Sequence, residues 1–576
     1  MYSNKENVNI LTALMVAHGI HHVVVCPGSR NAPLVHNFTV CPDITTYSVT
    51  DERSAGFYAL GLMQALDTPV AVCVTSGTAL LNLFPAVAEA FYQHRPLIIL
   101  SADRPQAWIG QLDGQTLPQQ HVFGRFVSRS VDLPEVPGNI PEGKDDEWLK
   151  TQRWYCNRLV NEALCDVSTS RLSTIPVHIN IPISEPLATF TVESLPEERV
   201  ILYHETVTST DESVVRELAD AVRHAHRPMM VIGQYLRFTE DDLPIFRALE
   251  SHISVLYEPL AGPKGGKPFD EVLYHIGDVE LYHPDFVLYG GDTIVSKRLR
   301  HFLRQGEKEI WEISEDGGIH DTFQGVNRVV HGDLRVILQQ LAALLGDTPS
   351  ANLSADYMNG WKQSLQKQQA LRDSFTSDYS QMAVVRCFED LLENLDDYQN
   401  GNIAVHYANS SSIRLANIFA HHRVYCNRGV NGIEGSVSTA AGFSLGTDRQ
   451  VFLMTGDLSF FYDSNALWNE MLGGNLRILL LNNGGGGIFH QLPIAKNSPE
   501  AIPAVAGHHH TTAKGLCESY AIHYFCASDE TQLKIAMRQF LSSESTRPVL
   551  LEVFTNKDED VRMMREYYRF TIGSVF

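Results

Sequence analysis

The 576-residue sequence lacks the features that mark several large classes of protein. Its nine cysteines are scattered and include no CxxC pair, which argues against a disulfide framework or a structural zinc site and favours reduced thiols in the cytoplasm. No apolar run approaches the roughly 20 residues of a membrane-spanning helix. The polar stretch Met1–Asn9 lacks the basic and apolar parts of a secretory signal. We therefore expect a soluble, cytoplasmic protein without an integral membrane segment.

Positive charge is also scarce in this chain. It has 45 Lys and Arg against 67 Asp and Glu, a formal net charge of −22, whereas a nucleic-acid surface needs a basic face. We therefore expect no nucleic-acid partner. The same negative field repels small anions at long range, so an enzyme acting on anionic substrates would need a local cluster of arginines and lysines.

Apolar strands alternate with helices along the whole sequence. A chain of this length exceeds one hydrophobic core, and this alternation is typical of parallel sheets covered on both faces. We predict an α/β protein with three doubly wound parallel-sheet domains at residues 1–184, 205–346 and 347–576 and a linker at 185–204. The predicted strands are His22–Cys26, Val70–Thr75, Leu97–Ser101, Val177–Ile181, Met229–Gly233, Ser254–Tyr257, Phe286–Tyr289, Glu309–Ile313, Ile403–Tyr407, Arg423–Cys426, Val451–Met454, Ile478–Leu481 and Val549–Phe554. The predicted helices include Asn9–Ala17, Ala55–Ala65, Leu80–Tyr92, Leu334–Leu345 and Asn465–Leu472.

A carboxylate and a carboxamide follow two predicted strands of the third domain. Asp457 comes just after Val451–Met454, and Asn483 comes between Ile478–Leu481 and the glycine run Gly484–Gly487. Ligands of α/β proteins bind at the carboxyl ends of parallel strands, and Mg²⁺ prefers such oxygen donors together with phosphate oxygens and water. The pattern predicts a site for magnesium and a diphosphate. An ordinary strand-to-helix turn followed by a glycine-rich loop is the alternative.

The segment Gly456-Asp457-Leu458-Ser459, followed by Asn482-Asn483, resembles the thiamine diphosphate signature of enzymes of the pyruvate oxidase and decarboxylase type. The resemblance implies that the first domain binds the pyrimidine, the second is a middle domain and the third binds the diphosphate. It implies that Asp457, Asn483 and the Gly485 carbonyl bind Mg²⁺ or Mn²⁺. Leu458 departs from the usual glycine, and Gly484 stands where some members have a third asparagine. The implied cofactor-binding residues are Glu52, Ser410, Ile433, Gly456, Asp457, Leu458, Ser459, Asn483 and Gly485.

Glu52, Ser410 and Ile433 lie outside the signature. Glu52 stands at the start of a predicted helix, where an acidic residue is typical because it complements the helix dipole. The resemblance instead makes Glu52 the catalytic glutamate that hydrogen-bonds the aminopyrimidine ring, and Ile433 the apolar support of the bent cofactor. In the family this glutamate and the metal come from different subunits. That implies a homo-oligomer with shared active sites, and the sequence leaves homodimer and homotetramer open.

Further motifs resemble one branch of these enzymes, the menaquinone-pathway synthases that join isochorismate to 2-oxoglutarate. The motifs are Pro27–Arg30, Asp51–Arg53, Thr75–Ala79, Ala102–Pro105, Asn427–Gly435, Ser438–Gly442, Gly456–Asp463 and Asn482–Phe489. The resemblance implies a transferase that decarboxylates 2-oxoglutarate and adds the remaining succinyl unit to isochorismate. Arginines at strand ends suit such dicarboxylates. The implied substrate-binding residues are Ser29, Arg30, Arg104, Gln115, Lys297, Arg298, Ser410, Arg414, Arg428, Ile488 and Phe489.

Two other functions stay open at this point. A different enzyme of the superfamily, such as an acetohydroxyacid synthase or a 2-oxoacid decarboxylase, would act on smaller or less anionic substrates and should lack the arginine cluster. A regulatory protein that binds the cofactor without catalysis would keep the same fold. The retention of Glu52, Asp457 and Asn483 argues against it. The run His508–His510 is too short to indicate a metal site and is predicted to lie in a loop.

Overall fold

Three parallel sheets form the framework of the protein. The structure is a computed structural model that describes residues 1–167, 174–203, 212–262, 264–276, 279–542 and 544–573. Each sheet lies within one of the three predicted sequence ranges, and helices cover both faces. The predicted α/β fold with three parallel-sheet units is therefore confirmed, while the exact domain boundaries stay a prediction.

The first sheet has six parallel strands. In spatial order they are Thr45–Ser48, His22–Val25, Val70–Val74, Leu97–Asp103, Val177–Pro182 and Arg129–Asp132. The helices of this unit are Glu6–Ala17, Ala32–Val40, Glu52–Leu66, Thr78–Asn82, Phe84–Tyr92 and Asp146–Asp166, with short 3-10 turns at Gln106–Trp108 and Gly124–Phe126. A small antiparallel ribbon pairs Tyr2–Ser3 with Phe190–Val192, so part of the predicted linker returns to the first unit.

The second sheet has five parallel strands. In spatial order they are Ser254–Tyr257, Pro228–Ile232, Phe286–Gly290, Glu309–Ser314 and Val326–His331. Its helices are Glu212–His224, Leu243–Leu249, Phe269–Ile276, Lys297–Leu303 and Leu334–Leu345, with 3-10 turns at Glu240–Asp242 and Glu280–Tyr282. The helix Ala355–Ser374 then leads to the third unit.

The third sheet again has six parallel strands. In spatial order they are Val424–Tyr425, Ile403–Tyr407, Gln450–Gly456, Leu476–Asn482, Val549–Phe554 and His523–Ala527. Its helices are Gln381–Leu392, Asp396–Gln399, Ser411–Phe419, Ser436–Leu445, Asp457–Tyr462, Ile494–Asn497, Ile502–Val505, Lys514–Ser519, Glu530–Ser542 and Lys557–Gly573. Short 3-10 turns lie at Ser464–Ala466, Gly487–Gln491 and Pro499–Ala501.

Two predicted helices differ from those in the structure. The helix predicted at Leu80–Tyr92 is divided into Thr78–Asn82 and Phe84–Tyr92, because Pro85 has no N–H to continue the hydrogen-bond ladder. The prediction of a helix at Asn465–Leu472 was wrong. The helix begins directly at the strand end, at Asp457, and stops at Tyr462.

The first and third units share one hydrophobic core across a helix seam, formed by Glu52–Leu66 and Ser436–Leu445. A Cβ atom placed on Gly61 would lie 2.0 Å from the Thr439 carbonyl oxygen, and one on Gly442 would lie 2.1 Å from the Tyr58 carbonyl oxygen. The seam fixes the helix that begins at Glu52 against the unit that carries Asp457. Among the residues that the structure describes, no helix combines the length and apolar composition that crossing a bilayer requires.

Candidate active site

The Asp457 carboxylate is buried where two neighbouring parallel strands of the third sheet end, and it is only 3% exposed. Its Oδ2 atom accepts hydrogen bonds from the backbone N–H groups of Asn483 at 3.2 Å, Gly484 at 2.8 Å and Gly485 at 2.9 Å. Burial raises the pKa of Asp457, and the N–H donors and nearby His509 oppose that shift. The structure thus brings together the three residues predicted to bind a metal.

The side chain of Asn483 is oriented by a residue that the sequence analysis did not select. The Asn483 Nδ2 group donates to the Asp560 carboxylate at 2.9 Å. Asp560 also accepts hydrogen bonds from the Thr555 hydroxyl and the Gln381 N–H. Because the amide nitrogen is engaged, the Oδ1 oxygen of Asn483 is the atom left to bind a cation, and it accepts no hydrogen bond from the described residues.

The glycine run after Asn483 adopts a conformation that side chains disfavour. Gly484 has φ +79° and Gly485 has φ +147°, values that glycine adopts without steric cost. A Cβ atom on Gly485 would also meet the Ala506 carbonyl oxygen at 2.8 Å. The turn thus accepts glycine at position 484. The asparagine that some relatives carry there would also fit, because asparagine tolerates the left-handed region.

A returning loop closes over this turn and includes the predicted loop His508–His510. The Gly486 N–H donates to the Ala506 carbonyl at 2.7 Å, and the His509 N–H donates to the Gly484 carbonyl at 3.1 Å. The His509 Nε2 atom lies 3.3 Å from Asp457 Oδ2. No sequence motif predicted this contact between His509 and the buried carboxylate.

The donor set fits a hard divalent cation. It offers one carboxylate, one amide oxygen and the backbone carbonyl of Gly485, which are the ligands that Mg²⁺ takes alongside phosphate oxygens and water. Within the described parts of the chain, no group of three His, Cys, Asp or Glu side chains forms a metal site elsewhere. The chemistry of the donors therefore agrees with a metal that also binds a diphosphate.

The predicted cofactor residues next to Asp457 form a connected group. The Ser459 hydroxyl donates to the Ile433 carbonyl at 2.5 Å, and the Leu458 N–H donates to Asp457 Oδ1 at 2.7 Å. Ile433 leaves 39% of its surface exposed, which suits an apolar residue that supports a bound ring. Asn409 holds the same segment by donating to the Gly432 carbonyl at 2.6 Å.

Ser410 has an unusual backbone conformation at the turn between Ile403–Tyr407 and Ser411–Phe419. Its φ is +76°, and a serine held there costs of order 1–3 kcal/mol, a type of strain that clusters at functional sites. The turn lies at the carboxyl edge of the third sheet, next to the strand that ends at Gly456. The position of Ser410 is consistent with its predicted contact to cofactor or substrate.

Glu52 lies apart from the Asp457 group within the chain. It is the first residue of its helix, and its Oε2 atom accepts a hydrogen bond from Asn82 Nδ2 at 3.3 Å. Its neighbours Asp51 and Arg53 contact the far end of the short helix Asp457–Tyr462: Arg53 donates to the Tyr462 carbonyl at 2.7 Å. Asp51 accepts a hydrogen bond from Asn465 at 2.8 Å. Asp457 begins this short helix, whereas the two neighbours of Glu52 contact its last residue and the turn that follows it.

The predicted substrate residues of the first unit gather at the carboxyl edge of the first sheet. Arg30 donates to the Ile183 carbonyl at 2.8 Å and pairs with Glu185 at 3.0 Å. Arg104 pairs with Asp113 at 3.0 Å and donates to the Gly114 carbonyl. Gln115, with φ +55°, follows directly, and exposed Ser29 precedes Arg30.

A second set of predicted residues lines a cavity of about 380 Å³ between the middle and third units, called here the substrate cavity. Lys297, Arg298, Arg414 and Ile488 all contribute to its wall. Arg428 is buried nearby and donates to Asn409 Oδ1 at 3.1 Å. Phe489 follows Ile488 in the 3-10 turn Gly487–Gln491. Ser411, rather than Ser410, reaches the cavity wall.

The arginines of the substrate cavity differ in their partners. Arg298 forms an ion pair with Asp270, and its guanidinium carbon lies 4.4 Å from the centre of the Tyr568 ring and 4.9 Å from that of Tyr274. Burial lowers the pKa of Arg298, but the Asp270 carboxylate outweighs burial and the net shift is upward. Arg414 has no ion pair or hydrogen bond to any described residue, and burial lowers its pKa. Arg414, unlike Arg298, is therefore free of a protein carboxylate among the described residues and can receive one from a ligand.

Several residues of the site carried no signal in the sequence. Asp560, Met564, Arg565 and Tyr568 all lie on the C-terminal helix Lys557–Gly573, which contains none of the motifs. Near its start this helix contacts the Asp457 group, where Asp560 accepts a hydrogen bond from Asn483. Further along, its Tyr568 lines the substrate cavity. Asp270 is likewise an ordinary acidic residue in the first turn of its helix.

Comparisons with known proteins bear on both the fold and the family. Residues 6–125 match the family model described as thiamine pyrophosphate enzyme, N-terminal TPP binding domain, and residues 409–553 match its C-terminal TPP binding domain. Among solved structures, a benzoylformate decarboxylase from Polynucleobacter necessarius superposes with a TM-score of 0.69 at 18% identity, over 96% of this chain and 99% of that one. A putative thiamin diphosphate-dependent enzyme from Mycobacterium smegmatis superposes equally well at 19% identity, over 96% of this chain and 100% of its own. These two likenesses establish the fold.

Curated relatives match the chain from end to end. A Bacteroides fragilis protein named 2-succinyl-5-enolpyruvyl-6-hydroxy-3-cyclohexene-1-carboxylate synthase is 44% identical over 99% of both chains. The protein of the same name from Bacteroides thetaiotaomicron is also 44% identical over 99% of both chains. The one from Porphyromonas gingivalis is 33% identical over 100% of this chain and 99% of its own.

Proposed function

We propose a function from family membership: the chain belongs to the 2-succinyl-5-enolpyruvyl-6-hydroxy-3-cyclohexene-1-carboxylate synthase family of thiamine diphosphate enzymes. It is a transferase of menaquinone biosynthesis that decarboxylates 2-oxoglutarate and adds the remaining succinyl unit to isochorismate by 1,4-addition. The observation that carries this conclusion is the 44% identity with relatives of that name over 99% of both chains. The alternative of an unrelated α/β protein with a glycine-rich turn is thereby excluded.

Thiamine diphosphate, when bound, supplies a nucleophilic carbon and an electron sink for the loss of carbon dioxide from a 2-oxo acid. Asp457, Asn483 and the Gly485 carbonyl would hold Mg²⁺, or Mn²⁺, against its diphosphate. Ser410, Gly456, Leu458 and Ser459 would contact the cofactor near that position, and exposed Ile433 would support its rings. Support comes from the preorganised carboxylate of Asp457, whose Oδ2 atom already accepts three backbone N–H groups.

Glu52 would act on protons at its Oε2 atom. That atom faces Asn82 and an open cleft lined by Thr50, Arg53 and Trp468, and a carboxyl group there can hydrogen-bond a heterocyclic nitrogen and exchange a proton with it. The neighbours of Glu52 contact the end of the short helix that Asp457 begins, and the family resemblance assigns Glu52 and the metal residues to different subunits of a shared site. We therefore propose a homo-oligomer, either a homodimer or a homotetramer, with active sites shared between subunits. We also propose a cytoplasmic location.

The cationic residues would bind the substrate carboxylates. Both 2-oxoglutarate and isochorismate are dicarboxylates, and a chain with a net charge of −22 needs local cations to hold them. The substrate cavity offers Arg414 and Lys297 without ion-pair partners among the described residues. Ser29, Arg30, Arg104 and Gln115 from the first sheet would complete the site from another subunit, and Arg428 with Ile488 and Phe489 would line it.

One assay tests the proposal against its competitors. The purified chain is incubated with thiamine diphosphate, Mg²⁺ and 2-oxoglutarate, with and without isochorismate. Consumption of isochorismate coupled to carbon dioxide release is the expected result. Turnover of pyruvate in place of 2-oxoglutarate would indicate another enzyme of the superfamily. Cofactor binding without any turnover would indicate a regulatory protein.

A further inference from the structure

The wall of the substrate cavity carries three carboxylates, and each already has partners. Asp270 accepts a hydrogen bond from the Tyr568 hydroxyl at 2.8 Å and another from Ser296, besides its ion pair with Arg298. These contacts leave Asp270 little capacity to bind a further cation. The carboxylate and the guanidinium therefore neutralise each other at this point of the wall.

The other two carboxylates of the wall also have hydrogen-bond partners. Glu271 accepts hydrogen bonds from Arg372 at 2.8 Å and from the Tyr567 hydroxyl at 2.7 Å. Glu258 accepts the backbone N–H groups of Val295 at 2.7 Å and Ser296 at 2.8 Å. None of the three acidic residues is thus left to pair with the remaining cations.

Five cations line the cavity, and two of them have ion-pair partners. Lys267 pairs with Glu250, and Arg298 pairs with Asp270. Lys297, Arg414 and Arg565 also line the cavity, and none makes an ion pair or hydrogen bond to a residue that the structure describes. An excess of unpaired positive charge around one cavity, in a chain with 22 more acidic than basic groups, calls for an anionic ligand.

Arg565 is the member of this set that no motif selected, and the geometry of its helix holds it at the cavity. Positions three residues apart lie on one face of a helix, so Arg565 shares a face with Tyr568. The hydrogen bond from Tyr568 to Asp270 fixes that face against the middle unit. Arg565 therefore stays at the cavity edge although its own side chain is exposed.

Its neighbours on the helix behave differently. Arg562, one turn earlier, pairs with Asp378, Glu559 and Glu566. Arg569, one turn later, is exposed and lines the adjoining cleft but not the substrate cavity. Of the three arginines, only Arg565 is both without a partner among the described residues and placed on the cavity wall.

We propose that Arg565 is a further substrate-binding residue that receives a carboxylate of one of the two dicarboxylate substrates, alongside Arg414 and Lys297. A planar guanidinium can bind a carboxylate through two parallel N–H donors. The C-terminal helix thereby contributes directly to substrate recognition. This inference rests on the proposed function, since it takes the ligands of the cavity to be the substrates of that reaction.

Steady-state kinetics on the full chain with thiamine diphosphate and Mg²⁺ test the proposal. Arg565→Ala should raise KM for 2-oxoglutarate or isochorismate about tenfold while kcat changes less than about twofold, because a carboxylate contact in the ground state is lost. The KM of Arg565→Lys should lie between those of the wild type and Arg565→Ala, because lysine keeps the positive charge but lacks the two parallel N–H donors of arginine. Arg569→Ala is the matched control and should behave as wild type.

Equal KM values for Arg565→Ala and Arg569→Ala with both substrates would overturn the proposal. So would a loss of kcat at unchanged KM. Thermal unfolding of each variant checks folding, and Arg565→Gln replaces the alanine variant if that one fails to fold. If the wild type shows no turnover, the proposed function fails separately. Calorimetric titration with 2-oxoglutarate and with isochorismate then decides: weaker binding to the Arg565 variant supports the role, and equal or absent binding removes it.

Discussion

The carboxylate of Asp560 holds the side-chain amide of Asn483 at 2.9 Å, which determines the atom that Asn483 presents to the Asp457 site. Without that acceptor the amide could turn by half a rotation and present its nitrogen instead. A nitrogen that carries two protons cannot bind a cation. Asp560, on the C-terminal helix, is therefore a positioning residue for the proposed metal ligand.

Replacing Asp560 by alanine should weaken metal binding. We expect the apparent affinity for Mg²⁺ to fall about tenfold, as is usual when a group that orients a metal ligand is lost. The measurement is a titration of Mg²⁺ at fixed thiamine diphosphate, followed by intrinsic fluorescence. Asp558→Ala, in the same helical turn, should leave the titration unchanged. An Asp560 variant that titrates like the Asp558 variant would contradict this role.

Replacing Glu52 by glutamine should remove most of the turnover. The amide keeps the size of the side chain but cannot exchange a proton, and such a group contributes about 10²–10⁴-fold to rate. Binding of thiamine diphosphate should stay close to wild type, because Glu52 lies apart from the Asp457 group. Rates and cofactor titrations on the same preparation check both statements, and an unchanged kcat would exclude Glu52 from the mechanism.

Replacing Arg414 by alanine should impair substrate use without changing the metal dependence. Arg414 has no ion pair among the described residues, so its loss leaves no buried carboxylate unpaired and acts on the ligand alone. We expect KM for a dicarboxylate substrate to rise about tenfold or more, the value of a charge-assisted hydrogen bond. Arg328→Ala, which removes an exposed arginine paired with Glu217, is the control. A changed Mg²⁺ requirement would mean that Arg414 acts on the cofactor instead.

Replacing Gly61 by alanine should destabilise the protein although alanine is the better helix former. In a solvent-exposed helix this change stabilises the folded state by about 1 kcal/mol. Here, however, the new Cβ atom would lie 2.0 Å from the Thr439 carbonyl oxygen. We expect a net loss of about 1–3 kcal/mol, typical of overpacking. Chemical denaturation measures it. Gly138→Ala has free space around it and should be neutral, and equal stability of the two variants would refute the steric argument.

His178 should make the protein less stable in acid. It is fully buried between the hydroxyls of Ser101 and Ser130, and burial, with a small contribution from His121, lowers its pKa to about 3. The unfolded chain takes up the proton near pH 6.5 while the folded chain does not. The stabilising contribution is therefore complete above pH 6.5 and is lost at about 1.4 kcal/mol per pH unit as the pH falls from there towards 3.

Urea denaturation at pH 7, 6 and 5 tests this dependence. His178→Gln should show a shallower loss of unfolding free energy between pH 6.5 and 5 than the wild type, because glutamine does not titrate. The variant still contains His406, whose pKa burial also lowers to about 3, so part of the acid sensitivity remains. Identical slopes for wild type and variant would show that His178 takes up a proton in the folded protein as readily as in the unfolded chain.

Every central strand of the three parallel sheets was predictable, whereas four of the six edge strands were not. All thirteen predicted strands occur within two residues of their predicted bounds, because strands buried on both faces are continuous apolar runs. The four strands of the three parallel sheets that the sequence analysis missed are Thr45–Ser48, Arg129–Asp132, Val326–His331 and His523–Ala527. Each lies at an edge of its sheet. Each of these four strands has a single buried position, so its residues are mixed and carry no clear pattern, whereas the predicted edge strand Ser254–Tyr257 has three.

The candidate site was predictable to a similar extent. The proximity of Asp457, Asn483 and Gly485 follows from a general rule of parallel sheets, since neighbouring strands end at one edge. The contacts of Asp270, Asp560 and Tyr568 arise from packing between units that are far apart in the sequence. An acidic residue in the first turn of a helix is too common a feature to indicate such a contact.

The helix seam has a consequence for evolution. Gly61 faces the Thr439 backbone and Gly442 faces the Tyr58 backbone, so no exchange of a neighbouring side chain can make room for a larger residue. A lineage that lost either glycine would have to move a whole helix, and with it Glu52 at the start of one of them. We therefore expect divergence among descendants of this protein to be slowest at these two glycines, although neither is predicted to bind a ligand.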